Sequence, residues 1–439
     1  MWWLARAPYE ATGRVAEWCA RFAPAHPRSK LGATFAGRRH ILDRYRRWGE
    51  TSRDRRRPLL WMHAPSVGEG LMALPLLACA REQLPDVQLA YTFFSPSAER
   101  FAHETGADFV DYLPFDTTRA MRTALDALAP AAIVFSKLDV WPALVECAHA
   151  RGIKTGLTSA SIPERSKRHG LGARLTRDAY ARLDRIGAAS ADDARRLTAA
   201  GAQEGRIRVT GDTRYDQAWA RIHDTPRNID VVDRLGRAHV NSPRATVVAG
   251  STWTADTAQL LPAWETLVAT ARRETTPLPR LIVAPHEIRA EEIESLTRWG
   301  EQHQLRVARI DDMDVGDADV VIVDRVGILA DLYAVATVAY VGGGFHDAGL
   351  HSVVEPAVCD VPTIVGPRHT QSRDAVLMRN AGGLFAVNDA RECATTLARL
   401  SYDQAAHARA SAAMHDVVSV ELGATARSFE IVRELLGMV

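Results

Sequence analysis

Short apolar runs, each followed by a longer stretch of helical periodicity, recur along this chain in two successive series, and this constrains its fold more than any other feature. PLLWMHA, VQLAYTFF, AAIVFS and KTGLTSA read as buried strands between residues 58 and 160. ATVVAGS, PRLIVAP, DVVIVD, TVAYVGG and VPTIVG repeat the pattern after about residue 243. A strand buried on both faces and followed by a helix is the unit of a parallel sheet, so each series predicts an α/β domain of Rossmann-like type. The 439 residues suffice for two such cores. Residues 213–243, polar with scattered Pro and Gly, form the expected joint. The expected organisation is an Arg-rich amphipathic segment 1–57, a first domain 58–212, a linker 213–243, a second domain 244–420 and a closing helix 421–439.

Charge excludes some functions. With 54 basic and 53 acidic residues the net charge is +1, which gives no whole-molecule field for holding nucleic acid. Cys19, Cys79, Cys147, Cys359 and Cys393 lie far apart without metal-ligand spacing, as expected of a reducing compartment, and no structural metal is expected. Residues 1–24 place Leu4, Ala11, Val15, Trp18 and Phe22 on one helical face, but interleaved arginines and glutamates rule out a membrane span or secretory signal. Two readings are open: a helix packed on its own domain, or one lying on a membrane with Trp2, Trp3 and Trp18 at headgroup level. Nine arginines against Asp43, Glu50 and Asp54 follow between Arg38 and Arg57. Such a run is either a solvated surface or a holder of lipid phosphates.

In open α/β sheets ligands bind beyond the carboxyl ends of strands, so the residues there carry the chemistry. After the first strand comes His63-Ala64-Pro65-Ser66-Val67-Gly68-Glu69-Gly70, whose glycines permit a tight turn and whose Glu69 is either a first-turn helix acid or a general base. Lys137 and Asp139 follow AAIVFS; Lys137 is one of only four lysines, which sets a functional role level with that of a surface residue or structural ion pair. In the second series Gly250-Ser251-Thr252 offers amides and hydroxyls to a phosphate, or an ordinary helix cap. His286 and Glu287 follow LIVAP, and Asp324 follows VIV. Gly342-Gly343-Gly344 allow close approach of a ligand, and Glu355, one helical turn beyond His351-Ser352, suits two ribose hydroxyls. Together these suggest a nucleotide-sugar pocket.

The order of these motifs resembles the 3-deoxy-D-manno-octulosonic acid (Kdo) transferases that act on lipid A precursors, from about Pro58 to Gly383. HAPSVGEG is similar to the family's H-x-x-S-x-G-E, TFFSPS to T-x-T-x-T, YLPFD to Y-x-P-x-D, GDTRYD to G-N-x-K-x-D, and GSTW to its S-T-H segment. DRVGILADLYAVATVAYVGGGF and HSVVEP are similar to D-x-x-G-E-L-x-x-x-Y with V-G-G-S, and to H-N-x-x-E-P. The resemblance implies two Rossmann-like domains with parallel sheets facing a central cleft (GT-B). It implies inverting transfer of Kdo from CMP-Kdo to a lipid IVA-like lipid A precursor, without cofactor or metal, at a membrane surface on the cytoplasmic side of a bacterial inner membrane. Glu69 matches the catalytic base. Ser251, Thr252, His286, Gly343, Gly344, His351, Ser352 and Glu355 match donor-side positions, and Ser66, Gly68 and Arg214 acceptor-side ones.

Departures from the pattern are specific. E-T-E-L-W-P is Lys137-Leu138-Asp139-Val140-Trp141-Pro142 here, which inverts the first charge; P-R-H becomes Pro285-His286-Glu287; the Glu of G-E-L becomes Ile328; N-A-R becomes Ser159-Ala160-Ser161. These changes resemble a divergent branch of the family. Lys137 is expected to meet a carboxylate, either the donor's or that of Glu69. A transferase for another nucleotide sugar, and a non-catalytic lipid- or nucleotide-binding relative, are the alternative functions.

Overall fold

The computed structural model describes residues 2–24, 27, 29–162, 171–223, 233–235 and 244–438, with backbone only for 2–5 and 171–173. Part of the expected linker and the side chains of Trp2, Trp3 and Leu4 therefore lie outside the described residues. The chain divides into two compact units, Met1–Gln217 with Glu421–Val439, and Ala218–Val420. Each unit is built on a seven-stranded sheet in which every strand pairing is parallel.

The first sheet holds β1 (Leu59–His63), β2 (Gln88–Phe93), β3 (Phe109–Tyr112), β4 (Ala132–Ser136), β5 (Lys154–Ala160), β6 (Arg185–Ala188) and β7 (Ile207–Val209), in the order β3-β2-β1-β4-β5-β6-β7. The second holds β8 (Thr246–Thr252), β9 (Arg280–Pro285), β10 (Val307–Arg309), β11 (Val320–Ile322), β12 (Val338–Val341), β13 (Thr363–Val365) and β14 (Leu384–Ala386), in the order β10-β11-β9-β8-β12-β13-β14. All nine expected apolar runs are strands. Five more were not anticipated: β3, β7, β10 and β14 are the four sheet edges, three or four residues long and partly exposed, and β6 is the four-residue RIGA. An edge strand buries only part of its length, so it lacks a continuous apolar run.

The helices of the first unit are α1 (Trp2–Arg21), α2 (Lys30–Ala36), α3 (Ile41–Thr51), α4 (Val67–Gln83), α5 (Glu99–Glu104), α6 (Thr118–Leu128), α7 (Pro142–His149), α8 (Leu171–Arg182) and α9 (Ala191–Ala199). α1 is docked by its polar side. Arg6 pairs with Glu146 at 2.8 Å, Tyr9 Oη donates to Asp116 at 2.7 Å, and Glu10 accepts from the Thr118 amide and hydroxyl. A Cβ at Gly13 would lie 2.6 Å from Thr117 Cγ2, so glycine lets the helix approach α6. The apolar side faces out: Val15, Trp18 and Phe22 are 61, 61 and 70 % exposed. No described helix is long and apolar enough to cross a membrane.

Much of the arginine run is internal stitching rather than free surface. Arg38 is buried and donates to the carbonyls of Leu113, Thr34 and Phe94. Arg53 donates to the Leu128 and Ala129 carbonyls at the end of α6, where the helix dipole favours a cation, and Arg44 grips Asp111 with two nitrogens.

The chain returns to the first unit at its end. Helix Ala424–Leu436 buries Phe429, Ile431, Val432 and Leu435 against β5, β6 and α4. Its start is held by Asp216 of the GDTRYD motif, which accepts from the Gly423 and Thr425 amides, and Glu434 pairs with Arg185 and Arg208.

Candidate functional site

Strand order reverses between β1 and β4, so the crevice above their carboxyl ends is the switch point of the first sheet. β1 ends at His63, and Ser66 precedes α4 in extended geometry. Its hydroxyl makes no cap; it donates instead to Glu69 Oε2. Glu69 stands in the first turn of α4, where unpaired amides favour an anion. Lys137, just past β4, reaches it: Nζ lies 3.3 Å from Glu69 Oε1. Burial opposes ionisation of Glu69, yet the Ser66 hydroxyl and the Lys137 ammonium together outweigh it and hold the carboxyl below its ordinary range. Lys137 thus meets Glu69, one of the two carboxylates considered for it.

Lys137 holds this position in the left-handed region, at φ +65°, with its amide donating to Thr158 O at 2.9 Å. That backbone costs a non-glycine residue on the order of 1 kcal/mol. Asp139 follows in the same loop, half-buried. Trp141 then stacks on Phe94 at 4.9 Å and meets the His63 ring edge-on at 5.7 Å. His63 is wholly buried, with Nδ1 2.9 Å from Thr92 Oγ1, and burial followed by the nearby Arg38 charge pulls its pKa down to about 3. It is a neutral packing residue.

Other expected residues sit differently. Gly68 and Gly70 lie inside α4 and open no turn. Gly68 is exposed with room for a side chain, whereas a Cβ at Gly70 would fall 2.4 Å from Phe101. Arg214, opening helix α10 (Arg214–His223), turns back on Asp212, with Nη2 to Oδ2 at 2.7 Å.

The second sheet reverses between β8 and β12. A cavity of about 240 Å³ there is lined by Arg221, Ser251, Tyr333, His351, Ser352 and Glu355 among others. The fold thus brings Ser251, His351, Ser352 and Glu355 together. Thr252 is buried, and Gly343 and Gly344 are buried in chain crossings rather than open to a ligand. A Cβ at Gly342 would lie 2.2 Å from Ser251 O, and one at Gly343 2.2 Å from Gly349 O, so these glycines serve contact between backbones. His286 is exposed, its ring 4.5 Å from that of His351.

Trp253, Asp256, Arg221 and Tyr333 were not singled out from the sequence, and each shapes this site. The Trp253 ring lies between His286 at 4.3 Å and His346 at 4.1 Å, and its Nε1 donates to His351 Nε2 at 3.2 Å. That bond requires an Nε2 lone pair, and burial followed by the charge of His286 holds His351 below the ordinary histidine value. Buried Asp256 accepts from the Trp253 and Gly343 amides at 2.9 and 2.7 Å, tying the β8 loop to the glycine loop. Its position three residues after the N-cap Trp253 was the available signal. Arg221 donates to Gly327 O at 2.9 Å, and no local pattern marked it.

Residues 40–217 match the 3-deoxy-D-manno-octulosonic-acid transferase (kdotransferase) family. A 3-deoxy-D-manno-octulosonic acid transferase of Bordetella pertussis is 30 % identical over 392 residues, covering 86 % of this chain and 87 % of its own. That of Chlamydia pneumoniae is 28 % identical over 338 residues, 74 % of each chain. Among solved structures, the UDP-GlcNAc 2-epimerase of Neisseria meningitidis bound to UDP-GlcNAc superposes with a TM-score of 0.59 at 12 % identity, covering 87 % of this chain and all of the other; this likeness concerns the fold alone. Two parallel α/β units of GT-B type, the ordered motifs and relatedness across most of the chain's length lead to one assignment: the chain belongs to the 3-deoxy-D-manno-octulosonic acid transferase family and is a glycosyltransferase.

Proposed function

We propose that this glycosyltransferase moves Kdo from CMP-Kdo to a lipid A precursor with inversion, Glu69 acting as general base. The observation that carries the reading is Glu69 at the switch point of the first sheet, kept anionic by Ser66 and Lys137. An ionised carboxylate accepts a proton from an acceptor sugar hydroxyl. As that oxygen bonds to the anomeric carbon, the bond from this carbon to the phosphate oxygen of CMP breaks on the opposite face, and CMP leaves with the electron pair. The proton stays on Glu69. In this reading the cavity of Ser251, His351, Ser352 and Glu355 receives the nucleotide: Glu355 accepts from ribose hydroxyls, and the serines and backbone amides face the phosphate. Thr252, Gly343 and Gly344 support its walls, and His286 joins through the Trp253 stack. Lys137 and Asp139 act beside Glu69, Lys137 as a positioning residue. Ser66 orients the base, and Gly68 and Arg214 lie on the acceptor side.

The outward apolar side of α1 supports peripheral attachment to a membrane, placed by this reading on the cytoplasmic side of the inner membrane, where the acceptor lipid would be met. The test is transfer from CMP-Kdo, generated in place, to a tetraacylated lipid A precursor, with mass spectrometry counting the sugars added. The expected product is heavier by Kdo units, and Glu69→Gln lowers its rate by about a hundred- to ten-thousandfold. Undiminished turnover in Glu69→Gln overturns the base; no product with intact donor and folded protein overturns the donor–acceptor pair and favours another nucleotide sugar.

A further inference from the structure

The cavity of about 240 Å³ in the second unit holds two opposite charges that are not spent on one another. Among the described residues lining it, Arg221 alone carries a permanent positive charge and Glu355 alone a carboxylate. No described residue forms an ion pair with either. His351 adds no charge, because its Nε2 accepts from Trp253 Nε1.

Arg221 reaches the cavity from the last turn of α10. Its Nη2 donates to Gly327 O at 2.9 Å, which anchors the guanidinium against the loop after β11. The other N–H groups of this exposed side chain stay available to a ligand. The segment after β9 offers no competing guanidinium, since Arg289 pairs with Glu287. Ser251 faces the same cavity from a backbone at φ +54°, where the register between β8 and β9 shifts between Gly250 and Thr252. Non-glycine residues held in this region concentrate at ligand clamps.

An acid and a cation kept apart in one cavity sort a ligand with hydroxyls at one end and an anion at the other, as a nucleotide has. With Glu355 accepting from ribose hydroxyls, the guanidinium is left for the phosphate. We propose that Arg221 is the phosphate-binding cation of this cavity, with Ser251 beside it. The assignment rests on the nucleotide reading of the cavity and adds the group that neutralises the leaving phosphate. As the bond from the anomeric carbon to the phosphate oxygen breaks, that oxygen keeps the electron pair, and one unit of negative charge builds on the phosphate. Arg221 transfers no proton in this step. Its attraction grows as the bond breaks, so it binds the transition state more tightly than the ground state.

The test is calorimetric titration of the full chain with CMP, cytidine, UMP and uridine. The parent is expected to bind CMP more tightly than cytidine. Arg221→Gln is expected to lower CMP affinity about ten- to a hundredfold, the range of a hydrogen bond to a charged group, and to leave cytidine affinity within about twofold. Arg221→Lys keeps the charge without the planar fork and is expected to fall between the two. The side chain is exposed, so the fold is expected intact, and an unchanged Tm checks it. Equal CMP affinity in Arg221→Gln and the parent overturns the assignment. Equal losses for CMP and cytidine show a residue that shapes the wall and overturn it as well. A parent that prefers UMP overturns the CMP donor, and Arg221 is then judged by the same comparison of UMP with uridine. A parent that binds none of the four overturns the nucleotide cavity and the assignment together.

Discussion

Replacing Lys137 by Met removes the ammonium beside Glu69 while keeping a side chain of similar length. At 3.3 Å, the attraction of two unit charges is about 1.3 kcal/mol with the dielectric constant of water and about 5 kcal/mol at an effective value of 20. The Lys137 side chain is 40 % exposed, which places the pair near the watery end, at about 1 kcal/mol after screening. This corresponds to a little under one pH unit. The sign follows from the charge: Lys137 favours the carboxylate, so its loss raises the pKa of Glu69 and depletes the base at acid pH. The assay is kcat/KM for sugar transfer against pH. In Lys137→Met the acid limb is expected to move upward by just under one unit, and in Lys137→Arg it stays near that of the parent. An acid limb that stays put, or moves downward, refutes the reasoning. A fall of the plateau without a shift means that Lys137 serves the donor's carboxylate instead.

Asp116 gives a stability test. Burial outweighs its bonds from Tyr9 and the Ala143 and Leu144 amides and raises its pKa to about 6. A folded-state value above the unfolded one stabilises fully below about 4 and loses that stability as pH rises through about 6. Denaturant unfolding of Asp116→Asn is expected to lack this fall, whose size is on the order of 3 kcal/mol; parallel pH profiles in parent and variant would remove the assignment. In the second unit, Gly342→Ala drives a Cβ against the Ser251 carbonyl and is expected to cost about 1–3 kcal/mol or more, read as a lowered Tm. An unchanged Tm would mean that the crossing loops yield freely.

The central strands were legible because burial on both faces leaves an uninterrupted apolar word such as LLWMH, all five residues of which are buried. Sheet edges carry no such word, and FVDY, IRV, VAR and LFA were not among the runs read as strands. The site followed the same division. Glu69, Lys137 and Ser251 drew notice in the sequence because they sit at or just beyond the carboxyl ends of central strands. The aspartates that hold loops in place were harder to see. Asp116 caps α7, Asp216 the final helix, and Asp256 joins two loops across 87 residues. Apart from the place of Asp256 three residues after Trp253, nothing local distinguishes these carboxylates from solvated ones, because their other partners are amides distant in sequence.

The α1 helix shows how far periodicity reaches. An amphipathic pattern establishes a helix and two unlike faces, and burial is ordinarily assigned to the apolar one. Here the polar face is inward, because its partners are polar as well: Thr118 meets Arg6 and Glu10, Asp116 meets Tyr9, and Glu146 meets Arg6. Those partners lie more than a hundred residues away and become neighbours only once the first sheet has formed. A helix held by hydrogen bonds and an ion pair leaves Val15, Trp18 and Phe22 exposed among the described residues. The same inversion sets the exposed Arg21 beside Trp18 and Phe22, so the basic and apolar parts of this surface follow from one docking geometry.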